Sequence, residues 1–328
     1  GATRELSLGW TQVHVAGNDL EEVAALRQLV ASGKIKLRIY DAVSGPGRTA
    51  EWLLARGPQR EGDGNRFTAR AIKLYADGAL GSRGAALLAP YADAPASTGL
   101  MRNTEEQLLP VLVAALRRGV QIETHAIGDR ANRTMLNLYE RAFALVPAAE
   151  RAVAEPRWRI EHAQIISPAD RPRFAQLGVI ASMQPSHAIS DLYFAPSRLG
   201  PERLADSYPW RSLLAAGARL TGGSDAPVER GEPLIEFYAA VARQSQDGFS
   251  DANWHREQRL SRGEALKMFS LWPAFAAFQE SERGSIAVGK LADFSVFSAD
   301  IMTIPEAEIL KASCVMTIVG GEIAYKAK

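Results

Sequence analysis

Short apolar runs rich in β-branched residues recur along the chain, each followed by a longer stretch with apolar positions three and four apart. The runs are 8–16 (LGWTQVHVA), 35–43 (IKLRIYDAV), 69–77 (ARAIKLYAD), 120–125 (VQIETH), 157–162 (RWRIEH), 179–184 (VIASMQ) and 218–225 (ARLTGGSD). They predict seven strands. The stretches between them predict helices. DLEEVAALRQLVASG opens on an Asp-x-x-Glu cap signal and stops near Gly33; TEEQLLPVLVAALRRG opens at Thr104 and stops at Gly119. DRANRTMLNLYERAFALV follows, with Asp129 as its expected N-cap, then PADRPRFAQLG, YPWRSLLAAG and PLIEFYAAVARQ. SRGEALKMFSLWPAFAAF adds a last helical stretch.

Repeated β-α units imply an α/β fold with a parallel sheet, open or closed. The long loops, at 78–103 and 185–206, follow strands rather than precede them, which is where α/β barrels carry their sites. A closed barrel needs eight strand-helix units, and seven are legible. After about residue 284 the texture changes. GSIAVGKLADFSVFSAD and ASCVMTIVGGEIAYK read as short strands with a Gly320–Gly321 turn. The expected division is a barrel domain over 1–283 and a β appendage over 284–328.

Composition narrows the classes of function. At 328 residues the chain can bury a large core. Lys and Arg total 38 against 37 Asp and Glu, with no block of like charge, so nothing points to nucleic acid. Cys314 is the single cysteine, which excludes an intrachain disulfide and a cysteine zinc cluster and suits a reducing cytoplasm. No apolar run reaches the length of a membrane span, and GATRELSLGW lacks the features of a signal peptide. Self-association into a homo-oligomer is compatible with the sequence.

The candidate chemistry sits at strand ends. His125, His162 and Asp225 each close a predicted strand. Alone, a strand-end histidine is more often packed or capping, and Asp225 alone reads as a turn residue. Together, two imidazoles and a carboxylate at one rim form a ligand set for catalytic zinc or a similar divalent ion, with room for water. Lys73 lies in a strand between Ile72 and Leu74, where an unpaired ammonium is costly. Two readings stand for it. One is an ion pair with Asp77, two pleats along on the same face. The other is a lysine carboxylated by carbon dioxide, a bridging carboxylate for two metal ions.

KLYADGALGSRGAALLAPYAD, ETHAIGDRAN, RIEHAQIIS, SMQPSHAISD, GGSDAPVE and GSIAVGKLADFSVF, in that order, resemble the amidohydrolase superfamily. They are most similar to amidohydrolase family 3, the group of N-substituted formamide deformylases and YtcJ-like proteins. The resemblance implies a (β/α)8 TIM barrel with a small β-sandwich built from both chain ends. It implies metal ligands at Lys73, His125, His162 and Asp225, with Asp225 also shuttling protons. The first barrel strand of that family carries His-x-His, which occurs nowhere in this sequence. GWTQVHVAG resembles the family's second strand. The missing motif and the missing eighth strand point to one gap, and the expectation is that the chain starts after strand one.

Arg83, in the loop after the Lys73 strand, is a candidate for polarising a carbonyl or clamping a substrate carboxylate. Gln184 and His187, in QPSHAISD, are candidate substrate contacts. The leading reading is a metal-dependent hydrolase of C–N bonds, acting on a small amide or N-substituted formamide. Two rivals stand beside it. One is a barrel isomerase or lyase acting on a phosphorylated metabolite, suggested by TGGSD at the last strand. The other is a metal-free, catalytically incomplete relic of the fold.

Overall fold

The structure, a computed structural model, describes residues 1–62, 66–250 and 254–328. The main sheet contains β1 (Gln12–Asn18), β2 (Arg38–Ser44), β3 (Gln59–Glu61), β4 (Phe67–Tyr75), β5 (Gln121–Ala126), β6 (Arg159–His162), β7 (Ile180–Met183) and β8 (Arg219–Gly222). Seven strands run parallel in the order β1-β2-β4-β5-β6-β7-β8, and β3 adds antiparallel to β4. All seven predicted strands are present. The order follows the chain, as right-handed β-α crossovers produce. Among the described residues β1 and β8 do not pair, so the sheet is open on that side.

The two faces of the sheet differ in character. Ile72, Leu74, Ile122 and Ile160 face the helices and are fully buried, each contributing about 1.5–3 kcal/mol by leaving water. The alternate positions line the inside of the curl and are polar. Register sets Lys73 beside Glu123 and Glu123 beside Arg159, with Tyr75 beside His125 and His125 beside Glu161 one pleat further along. The sheet curls enough for Arg159 of β6 to reach His14 of β1.

Asp19 starts the helix Leu20–Ala31 with a reciprocal cap: its carboxylate accepts from Glu22 N at 2.8 Å, and Glu22 Oε2 accepts from Asp19 N at 2.9 Å. Four expectations need correction. Residues Ala2–Leu8 are a helix, so the first strand begins later than its apolar run suggests. Asp129 is the first helical residue and Gly128 the cap; the Asp129 carboxylate instead accepts from Leu88 N at 2.8 Å, tying the preceding loop to the helix. Residues 185–206 are not an open loop but a run of short helices, three of which have Pro185, Pro196 or Pro201 in their first turn. The stretch 261–278 breaks into Arg262–Met268 and Leu271–Ala276, with Pro273 restarting the second.

A second sheet holds β9 (Phe294–Phe297), β10 (Cys314–Val319) and β11 (Glu322–Lys326), antiparallel in the order β11-β10-β9. Gly320 and Gly321, both with positive φ, make the two-residue turn between β10 and β11. The helix Ala2–Leu8 packs on this sheet, where Thr317 Oγ1 donates to Leu6 O at 2.6 Å.

Candidate functional site

The strand ends of β5, β6 and β8 and the helix Pro185–Ser190 converge at the carboxyl edge of the sheet. His162 closes β6 with φ 73, and Asp225 follows β8 with φ 57. Both occupy left-handed backbone that a side chain makes costly, a form of strain that concentrates at functional sites. The turn swings His162 out of the alternation that points Arg159 and Glu161 inward.

Three side chains form a compact group. One ligand atom each from His162, His187 and Asp225 lie within 4.8 Å of one another. His187 Nε2 is 3.6 Å from Asp225 Oδ2 and 4.0 Å from Glu229 Oε1. It is buried and has no hydrogen-bond partner among the described residues. His162 Nδ1 lies 2.8 Å from Gln184 Oε1, an acceptor, so Nδ1 carries the proton and Nε2 keeps its lone pair. Burial, then the nearness of His125 and Lys73, holds His162 well below the usual imidazole range. Burial and His125 push His187 down to about 4. Both rings are therefore neutral at pH 7, the form that binds metals. Burial raises Asp225 above the usual carboxylate range, with Lys73 opposing. An uncommitted buried nitrogen beside a carboxylate and a second lone pair suits a divalent cation.

His125 stands next to this group. Its ring centroid is 4.6 Å from that of His162 in an edge-on arrangement. Its Nε2 points elsewhere, 3.4 Å from Asp77 Oδ1 and 3.5 Å from Gly78 O. The sequence set of His125, His162 and Asp225 thus arrives at one rim, but the tight triple contains His187 in place of His125.

Lys73 is buried inside the curl, with Nζ 5.3 Å from the Tyr75 ring centroid. Burial lowers its pKa, opposed by Glu161, Glu123 and Asp225. The pairing with Asp77, one of the two readings for Lys73, is absent, because the Asp77 carboxylate is spent elsewhere. It accepts from Ala86 N at 2.8 Å, Ile127 N at 3.0 Å and Gly128 N at 2.8 Å. Backbone packing there is close: a Cβ on Gly128 would collide with Ala86 O, and one on Gly99 with Ala85 O.

Arg83 lies away from the triple, paired with Asp93 through Nε at 3.1 Å and Nη2 at 2.8 Å. Gln184 contacts His162 rather than open space. Trp210 is fully buried and lines a narrow cleft with His162, Gln184, His187, Tyr208, Gln164 and Met183, while Trp254 packs against Tyr208. His255 pairs with Glu257 at the surface, and Cys314 is buried against Thr317.

Below the rim lies an ionic cluster that the motifs did not single out. Arg159 pairs with Glu123 at 2.6 Å and Glu161 at 2.7 Å, and its Nη1 is 2.9 Å from His14 Nδ1. Burial pushes Glu123 up to about 7 despite Arg159. Glu161 is buried too, yet Arg159 and then Lys73 hold it below the usual range. The signal was present: in QIETH and RIEH, Gln121, Glu123 and His125, and Arg159 and Glu161, fall at every second position of buried strands.

The sequence pattern of the amidohydrolase family matches residues 3–325. The chain belongs to the amidohydrolase family. It is 32% identical over 256 residues to the putative amidohydrolase YtcJ of Bacillus subtilis, covering 78% of this chain and 47% of that protein. It is 28% identical over 224 residues to the N-substituted formamide deformylase of Arthrobacter pascens, covering 68% and 40%. An uncharacterized metal-dependent hydrolase from Pyrococcus horikoshii OT3 superposes with TM-score 0.82 at 27% identity, over 93% of this chain and 59% of that one. The chain therefore spans about half the length of the curated relatives named here.

Proposed function

We propose that this amidohydrolase-family chain forms most of the catalytic barrel of a metal-dependent hydrolase that cleaves a C–N bond in a small amide or N-substituted formamide. The observation that carries the reading is the buried, unpartnered His187 Nε2, which faces Asp225 across 3.6 Å beside the free nitrogen of His162. These donors suit zinc, and the activities named for relatives favour amide chemistry. A divalent ion bound there would lower the pKa of water and polarise the carbonyl.

The chain's own groups supply the remainder. His162, His187 and Asp225 would hold the ion, with His125 the next donor along the rim. Gln184 keeps the His162 proton on Nδ1. An Asp225 oxygen accepts the proton of the attacking water and returns it to the departing nitrogen. Lys73, below the rim, is a plain amine here; with two ions bound it would add carbon dioxide, lose a proton and help hold them as a carbamate. The open side of the sheet, between β8 and β1, is the place for a further strand, which in this reading carries His-x-His. The setting is the cytoplasm.

The test compares this chain with a form extended upstream by a strand bearing His-x-His. Bound metal is measured by elemental analysis, and turnover on a panel of N-substituted amides and formamides. The expected result is weak metal binding and little hydrolysis in the short form, with both recovered in the long one. A metal-loaded long form that hydrolyses no C–N bond would refute the reading.

A further inference from the structure

On the far side of the helix Pro233–Ala242 from the histidines lies a cavity of about 400 Å³. Glu236 of that helix accepts from Ser186 N beside His187, whereas Val241, about 140° further round, lines the cavity. The 3₁₀ turn Arg256–Gln258, the start of the helix Arg262–Met268 and the helix Glu306–Ile309 supply the other walls.

Four arginines line this cavity: Arg211, Arg256, Arg259 and Arg262. Arg211 is matched by Glu264, whose two oxygens each accept at 2.7 Å. Arg262 gives its Nη groups to Ile301 O and Ile304 O, which are neutral acceptors. Arg259 gives Nε to Arg256 O at 2.9 Å and keeps both Nη groups uncommitted. The exposed Arg256 side chain makes no hydrogen bond among the described residues, and none of these last three pairs with a carboxylate there. Of the two acids in the lining, Glu257 is engaged by His255 at 2.7 Å, and Glu306 has no partner among the described residues. The arginine-bearing turn is held in place before any ligand arrives. Buried Gln258 binds Ser212 through both ends of its amide, at 3.0 and 2.8 Å, and Leu260 N donates to Ala240 O at 2.9 Å.

We propose that this cavity is an anion site, separate from the candidate metal site, that takes a small phosphate monoester. The phosphate lies across Arg256 and Arg259, and a hydroxyl-bearing body donates to Glu306 over the apolar wall of Val241 and Leu260. A single carboxylate fills one guanidinium fork. A phosphate monoester, with a charge of about −1.5 to −2 and three acceptor oxygens, serves two forks and relieves the repulsion between them. The concavity favours a small molecule over an acidic peptide, since ligand pockets span roughly 300–1,000 Å³.

The experiment is titration calorimetry of the chelator-treated chain with ribose 5-phosphate, inorganic phosphate and ribose, so that no metal is present to take the phosphate. The expected result is saturable binding of both phosphates, tighter for ribose 5-phosphate, and none of ribose. Arg256→Gln should weaken both by about 10-fold and Arg256→Gln/Arg259→Gln by about 100-fold, as loss of one and of two charge-assisted hydrogen bonds implies. Glu306→Gln should bring ribose 5-phosphate to the level of inorganic phosphate, and His187→Ala should change nothing. No saturable binding of either phosphate to wild type overturns the proposal. So does unchanged affinity in Arg256→Gln, a reading that stands even if the double variant does not fold. Loss of binding in His187→Ala would place the anion at the histidines and also overturns it. Equal affinity of wild type for the two phosphates overturns the part given to Glu306. Turnover is not read, so the outcome is independent of the hydrolase reading.

Discussion

Arg159 Nη1 lies 2.9 Å from His14 Nδ1, joining β6 to the edge strand β1 across the inside of the curled sheet. The same guanidinium pairs with Glu123 and Glu161. One cation thus offsets two buried carboxylates and holds the open edge of the sheet to its centre. Replacing Arg159 with Met leaves both carboxylates without their partner. Loss of one member of a buried ion pair costs about 3–5 kcal/mol. Urea denaturation should show that loss at pH 8 and a smaller one at pH 5, where Glu123, already raised to about 7, is protonated.

Asp225→Asn should keep the fold and remove most turnover in a catalytically complete form. The change takes away an anionic donor and the proton carrier together. General base catalysis alone typically contributes about 10²–10⁴-fold. A kcat within a factor of two or three of wild type would show that Asp225 has neither role.

Zinc supplied well above its weak Kd should raise the thermal midpoint of the chain, and a chelator should reverse the rise. At a free concentration 100 times its Kd, a ligand specific for the folded state adds about 2.7 kcal/mol. His187→Ala should abolish the shift, because it removes the unpartnered nitrogen of the compact triple. His255→Ala should leave it intact, since His255 is paired with Glu257 at the surface. Equal zinc shifts in wild type and His187→Ala would exclude His187 from the ion.

Glu236 gives the pH dependence a sign. It is buried behind the helix that carries His187 and accepts from Ser186 N at 3.0 Å. Burial pushes its pKa from the usual 4.5 up to about 8. Between those values the unfolded chain has released the proton and the folded chain retains it, so this group's contribution to stability falls as pH rises through that window. The accumulated penalty above pH 8 is on the order of a few kcal/mol. Glu236→Gln, which keeps an acceptor for Ser186, should melt higher than wild type at pH 8.5 and converge with it near pH 4.5. Parallel melting curves across that range would show that Glu236 ionises normally.

The strands were legible because β-branched runs such as VQIETH and RIEH bury one face against helices and reveal it by period. The helix Arg48–Arg56 was not. It is short and bracketed by Gly-Pro-Gly and Gly57, a texture that reads as loop. At the site, the strand-end positions of His125, His162 and Asp225 follow from the sequence. The approach of His187 to Asp225 does not, because it depends on how the segment after β7 folds into short helices. That Lys73 does not pair with Asp77, one of its two readings, was hidden for a related reason: periodicity puts Asp77 on the right face but says nothing of the amides that claim it. Arg83 shows the same limit, since the chain places its partner Asp93 in the same irregular loop.

The close approach of Gly99 and Gly128 to the carbonyls of Ala85 and Ala86 makes one side of the rim unlike the other. Asp77 and Asp129 pin the same segment, so the rim after β4 and β5 is a closely packed wall. The opposite rim, after β7 and β8, is a string of short helices, and it bears the exposed Tyr193 stacked on Phe249. The cleft beside His162 and His187 is lined from that side, by Gln184, Tyr208 and Trp210. Substitutions in residues 185–206 would therefore reshape the surroundings of His187 while leaving the wall after β4 and β5 in place.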